Sequence, residues 1–126
     1  MPEHSLSSLY TLIDAVRKFR DDRDWSQFHT PKNLAAAIAI EVAELQECFL
    51  WKTDTEVTDL LKDASKREAV VDEVADILLF AVLLADRLDI DLPDALAKKL
   101  RDNAEKYPVS LARGNSQKYT KLKGDC

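Results

Sequence analysis

Glycine is nearly absent from this 126-residue chain: there are two, Gly114 and Gly124, both in the last 13 residues. Proline is almost as rare, at positions 2, 31, 93 and 108, so residues 32–92 contain neither. Sheets turn every few residues and use mostly these two residue types to do so. Their absence over about 60 residues predicts long helices and an all-α fold. It also excludes a P-loop and a dinucleotide-binding Gly-rich turn, which need clustered glycines. Phosphate, if bound, must be held another way. Cysteine is limited to Cys48 and the terminal Cys126, which gives neither a disulfide framework nor a zinc spacing. No apolar run reaches the roughly 18 to 20 residues that cross a bilayer. Residues 1–30 carry charges throughout and lack a signal peptide's apolar stretch, so a cytoplasmic protein without a membrane partner is expected.

What is present fits a single domain over 1–126. The chain is 46% hydrophobic and 33% charged, enough to bury a core and stay soluble. Four helices and one short helix are predicted. The first runs from Leu6 to Phe19, with Leu6, Leu9, Ile13 and Val16 at helical spacing. A polar, aromatic stretch holding Trp25, Phe28 and His29 follows. Thr30-Pro31 then supplies an N-cap hydroxyl and a first-turn proline for a second helix, expected to reach Trp51. A short helix is expected near Glu56–Lys62. Ser65 and Glu68, at capping-box spacing, are read as opening a third long helix that ends near Leu88. The fourth is expected from Pro93 to Tyr107, stopped by Pro108, with 108–126 as a C-terminal arm. LAAAIAI at 34–40 and ILLFAVLLA at 77–85 are apolar on every side, so both helices are expected to be buried all round.

The charges are unevenly distributed. Residues 98–126 hold eight Lys and Arg against three acids, a net +5; residues 1–97 hold ten against twenty, a net −10. An acidic body of this kind is unsuited to a nucleic acid polymer. The basic tail is either a solvated surface or a face for a smaller polyanion.

Carboxylates stand where core residues are expected. Glu41 and Glu44 lie in IAIEVAELQ, and Glu73 and Asp76 in VVDEVADILLF. Spacing i, i+3 puts each pair on one helix face. The middles of these helices hold no Lys or Arg to pair with them. Ionised carboxylates out of water are costly, and four together repel, unless a hard divalent cation neutralises them. Magnesium suits an all-oxygen ligand set, with Glu47 and Asp72 as outer members. A helical di-iron site would use Glu-x-x-His pairs, and His4 and His29 lie far from the acids in sequence. At about 100° per residue, Trp51 would fall within roughly 20° of Glu44, and Phe80 about 40° from Asp76. Flat aromatic walls beside a metal cluster suit a nucleobase or sugar, although each aromatic alone would pass for core packing.

Together these residues resemble the MazG-type all-α nucleoside triphosphate pyrophosphohydrolases. RDWSQFHTPKNL at 23–34, EVAEL at 41–45, FLWK at 49–52, DEVADILLF at 72–80 and KYPVSLARGNSQKYT at 106–120 look like the dCTP pyrophosphatase branch. The resemblance covers residues 20–120. It implies a MazG-like bundle completed by oligomerisation, as a homotetramer in preference to a dimer. It implies magnesium-dependent hydrolysis of dCTP or a modified dCTP to the monophosphate and pyrophosphate, with manganese as a substitute ion. Glu41, Glu44, Glu73 and Asp76 match the metal ligands and catalytic acids. Trp25, His29 and Trp51 match base-side positions, Lys99 and Asn103 match positions facing the substrate, and Tyr107 with the 113–119 arm completes the pocket. Phe80 departs from the tyrosine common in that branch, which bears on sugar and base preference. Two alternatives stay open: the same chemistry on another canonical or modified nucleotide, and a non-catalytic, metal-binding helical oligomerisation module.

Overall fold

The computed structural model describes residues 8–122, and every described secondary-structure element is helical. The elements are α1 (Leu9–Asp22), a 3-10 turn (Ser26–Phe28), α2 (Pro31–Phe49), α3 (Asp54–Leu60), α4 (Ala64–Arg87), α5 (Leu92–Lys106), α6 (Val109–Ala112) and α7 (Tyr119–Leu122). The all-α expectation holds. Residues 1–90 and 91–126 make two compact units, so α1 to α4 belong to one and α5 to α7 to the other.

The helix starts follow from local chemistry. Ser8 caps α1 by accepting from the Thr11 amide at 3.0 Å. The predicted start at Leu6 lies outside the described residues. Thr30 caps α2 by accepting from the Asn33 amide at 3.1 Å, and Pro31 occupies the first turn, as the sequence indicated. Thr53 caps α3, which begins two residues before the expected Glu56. The start of α4 differs from the Ser65–Glu68 reading. Asp63 is the N-cap, accepting from the Ser65 and Lys66 amides at 3.0 and 3.2 Å, while the Ser65 hydroxyl donates to the same carboxylate. A charged carboxylate at a helix N-terminus outcompetes a hydroxyl two residues on. Asp91 caps α5, and Pro93 sits in its first turn.

Two ends depart from expectation. α1 continues past Phe19 to Asp22. α2 stops at Phe49, with Leu50 as C-cap and Trp51 at φ 62°. The described part of the C-terminal arm contains α6 and α7.

In the first unit α2 packs along α4, and α1 packs on α4. Ile13, Leu34, Val82, Leu83 and Ala85 are buried. The expectation of burial on all faces is not met for α2 within one chain, while in the 77–85 run of α4 only Leu78 is exposed. Ile40 is 57% exposed, and Val71, Val74 and Leu78 are 47, 52 and 48% exposed. The second half of α4 is covered from Leu79 to Ala85, and its bare part lies toward the start of the helix. Val71, Val74 and Leu78, at spacing i, i+3, i+7, form a continuous bare apolar stripe on α4.

Candidate functional site

Facing helices bring three of the four sequence-selected acids together. Glu41 of α2 and Glu73 and Asp76 of α4 each offer one carboxylate oxygen, and those oxygens lie within 4.8 Å of one another. All three side chains are half-buried. Glu41 Oε2 and Glu73 Oε2 are buried without a hydrogen-bond partner. Glu44, one turn beyond Glu41, is exposed and stands outside the close trio while adjoining Glu41.

The electrostatics follow from this crowding. The neighbouring Glu73 carboxyl, with burial, holds the Glu41 carboxyl above its ordinary range. The hydrogen bond and charge of Glu41 do the same to Glu44. Like charges held together disfavour the ionised form, and a cation reverses that balance. The donor set fits a hard divalent ion: three carboxylates from two helices, two orphaned buried oxygens and no nitrogen or sulfur ligand in the group.

The aromatic candidates are spread around the first unit. Trp25, 43% exposed, meets Phe19 edge-on at 5.6 Å between ring centroids. The Arg23 guanidinium lies 3.8 Å from the Phe19 ring centroid. His29 ends the 3-10 turn, half-buried, with a buried Nδ1 that lacks a hydrogen-bond partner among the described residues. Burial, aided by the positive charge of Arg20, lowers its pKa and favours the neutral imidazole. Phe80 is half-buried on α4, one turn from Asp76, as expected. Trp51 requires a correction. Because α2 ends at Phe49, the helical projection that aligned Trp51 with Glu44 does not apply. Trp51 instead stands in a left-handed turn with 92% of its surface exposed.

In the second unit, Lys99 and Asn103 are one turn apart on α5. The Asn103 carbonyl accepts from the Tyr107 amide at 2.8 Å and so closes the helix. The Tyr107 ring meets Tyr119 edge-on at 6.2 Å, and Lys106 Nζ lies 5.2 Å from the Tyr119 ring centroid.

Sequence reasoning missed the charge cluster on Asp86. Its carboxylate accepts from Arg17 Nε and from Arg20 Nη1, joining α1 to α4. Burial alone would push the Asp86 carboxyl up; hydrogen bonds from Arg20 and Arg17 outweigh it and hold the group below its ordinary range. The available signal was an acid directly after a nine-residue apolar run.

A helical pair carrying opposed Glu-x-x-Glu and Glu-x-x-Asp motifs defines a class, and the comparisons agree with it. The MazG-like family pattern matches residues 36–122, and the chain belongs to that family. It is 45% identical to dCTP pyrophosphatase 1 of Mus musculus over 115 residues, 89% of this chain and 68% of that protein. Against dCTP pyrophosphatase 1 of Homo sapiens the identity is 45% over 121 residues, 94% of this chain and 71% of that protein. A crystal structure of a pyrophosphatase from Archaeoglobus fulgidus superposes with a TM-score of 0.71 at 40% identity, covering 79% of this chain and 92% of that one.

Proposed function

We propose that the chain hydrolyses dCTP, or a dCTP modified on its base, to the monophosphate and pyrophosphate with magnesium as its ion. The observation that carries this is the trio of carboxylate oxygens within 4.8 Å, two of the side chains ending in buried, unpartnered oxygens. The relatives named dCTP pyrophosphatase 1 support the substrate. The chain is a nucleoside triphosphate pyrophosphatase.

Glu41, Glu73 and Asp76 would hold the ion, with Glu44 beside Glu41 as the fourth acid. Bound there, a divalent cation supplies Lewis-acid stabilisation of the charge that develops on the triphosphate. The reaction forms a bond from a water oxygen to the α-phosphorus and breaks the bridge to the β-phosphate. Pyrophosphate leaves, and the water's proton passes to one of the four carboxylates. Trp25 and Trp51 offer π-faces to a base, and His29 offers a hydrogen bond to choose it; Asn103 is proposed as a substrate residue on the resemblance alone. Lys99 offers positive charge to phosphate oxygens. No described helix is long and apolar enough to cross a membrane. The bare stripe of Val71, Val74 and Leu78 supports assembly as a homo-oligomer, with a tetramer favoured over a dimer.

The test is a panel of dNTPs, NTPs and 5-substituted dCTPs, scored for pyrophosphate with magnesium, with manganese and after chelation. The expected result is the fastest release from dCTP or a 5-substituted dCTP, none after chelation, and recovery with either ion. Full activity after exhaustive chelation would overturn the metal assignment. A different best nucleotide would move the substrate, a result that Phe80 in place of a tyrosine would help to explain. No product from any nucleotide would favour a non-catalytic metal-binding module.

A further inference from the structure

We propose that Asp86 is a positioning residue for the aromatic turn 25–29, acting through Arg20. This rests on the reading of that turn as the base-side wall of a nucleotide site. The Asp14–Arg17, Lys18–Asp22 and Lys98–Asp102 pairs each stay within one helix, whereas Asp86 ties two helices together. Each of its oxygens takes one guanidinium: Oδ1 takes Arg17 and Oδ2 takes Arg20. The Arg20 side chain is 12% exposed and that of Asp86 20%, so water screens this contact less than the surface pairs.

The main chain of Arg20 is also the origin of the turn. Its carbonyl accepts from the Arg23 amide at 3.2 Å and from the Trp25 amide at 3.1 Å. From there the turn is built by short-range bonds. Asp24 takes φ 51°, and Gln27 donates back to the Asp24 carbonyl and carboxylate at 3.0 Å each. The Phe28 amide reaches the Trp25 carbonyl at 2.9 Å, and the His29 amide reaches the Ser26 carbonyl at 3.1 Å. Asn33 of α2 holds the far end through the Phe28 carbonyl at 3.2 Å. The turn is thus fastened to α2 at one end and, through Arg20 and Asp86, to α4 at the other. α4 also carries Glu73 and Asp76, so one rigid helix fixes both the acids and the origin of the aromatic wall. Asp86 lies ten residues past Asp76, about 15 Å along the axis, too far to share an ion with the trio. Its influence on the site therefore passes through Arg20 and not through the reacting atoms.

Two readouts test this. Trp25 becomes the sole tryptophan in a Trp51→Phe background, where its emission and acrylamide quenching are read without metal or nucleotide. KM and kcat for dCTP with magnesium are read in the chain that keeps Trp51. Asp86→Asn is expected to red-shift Trp25 emission and increase quenching. It should raise KM about tenfold while leaving kcat within about threefold, the pattern of lost substrate positioning. Asp86→Glu should restore most of both. Unchanged Trp25 emission and unchanged KM in folded Asp86→Asn would overturn the proposal. So would a fall in kcat at constant KM, which would place Asp86 in the chemistry. If Asp86→Asn fails to fold, Arg20→Lys decides on the same readouts, because it keeps the charge and loses the planar fork. If the natural chain turns over no nucleotide, the function reading fails by itself, and Trp25 emission still decides whether Asp86 holds the turn.

Discussion

Glu41 illustrates how far one residue's surroundings constrain its role. A side chain with a buried, unpartnered oxygen beside Glu73, on a helix that otherwise reads as core, is costly without a counter-charge. Asp76→Asn should therefore reduce pyrophosphate release at least about 100-fold while circular dichroism stays helical, because electrostatic stabilisation is commonly worth that much. Glu41→Gln should abolish turnover too, yet raise the melting temperature of the chelated protein, since one of a set of repelling charges is gone. The raised pKa of Glu41 gives the sign: the folded chain holds that proton more tightly than the unfolded one. Its stability deficit thus grows as pH rises through the folded value. The gain from Glu41→Gln should accordingly shrink as pH falls into the ordinary carboxylate range, as read by thermal melts with EDTA. Melts that fall in both conditions would make Glu41 a structural residue. The acids were legible in sequence because i, i+3 spacing is local information. The Asp86 pairs were not, because their partners lie 66 and 69 residues away and leave no periodic trace.

At the scale of elements, helix existence was plain and helix ends were not. The uninterrupted segment 32–92 and the Thr30-Pro31 start left little freedom for α2. Its C-terminus had no glycine or proline to announce it, so extension to Trp51 was the natural reading. The chain instead places a bulky side chain in a left-handed conformation that costs an ordinary residue roughly 1–2 kcal/mol and glycine almost nothing. Strain at an almost fully exposed tryptophan suits a ring held out for a ligand. Trp51→Gly should leave the melting temperature unchanged or higher, while raising KM for every dNTP by a factor of roughly 5 to 150 through lost stacking. A lowered melting temperature with unchanged KM would assign the ring to packing. Asp63 teaches the same lesson at the start of α4: Ser65 and Glu68 satisfied a pattern, but the stronger acceptor stood two residues earlier.

At the scale of the molecule, the all-α class was legible from missing turn residues, whereas the burial of the long helices was not. Apolar runs on every side predicted full cover, and one chain leaves much of α2 and the first half of α4 partly bare. Composition records what a helix would bury, not which copy of the chain does the burying. Light scattering at micromolar concentration should give a multiple of 14.3 kDa, with about four copies favoured. Paired Val74→Glu and Leu78→Glu substitutions should shift it toward the single chain by placing charge on the bare stripe. A stable 14.3 kDa species from the natural chain would refute assembly. The backbone also limits how the protein can move. Left-handed residues occur at Asp24, Trp51, Asp89 and Gly114, each at a junction between helices, and none falls inside α2 or α4. With no glycine, and with proline only in the first turn of α2, those two helices keep the spacing of their acids as a ruler keeps its marks. Any closure around a nucleotide must then be hinged at the joints, the bend at Trp51 first among them, while the carboxylates and the fastened turn 25–29 stay as the fixed frame against which the rest swings.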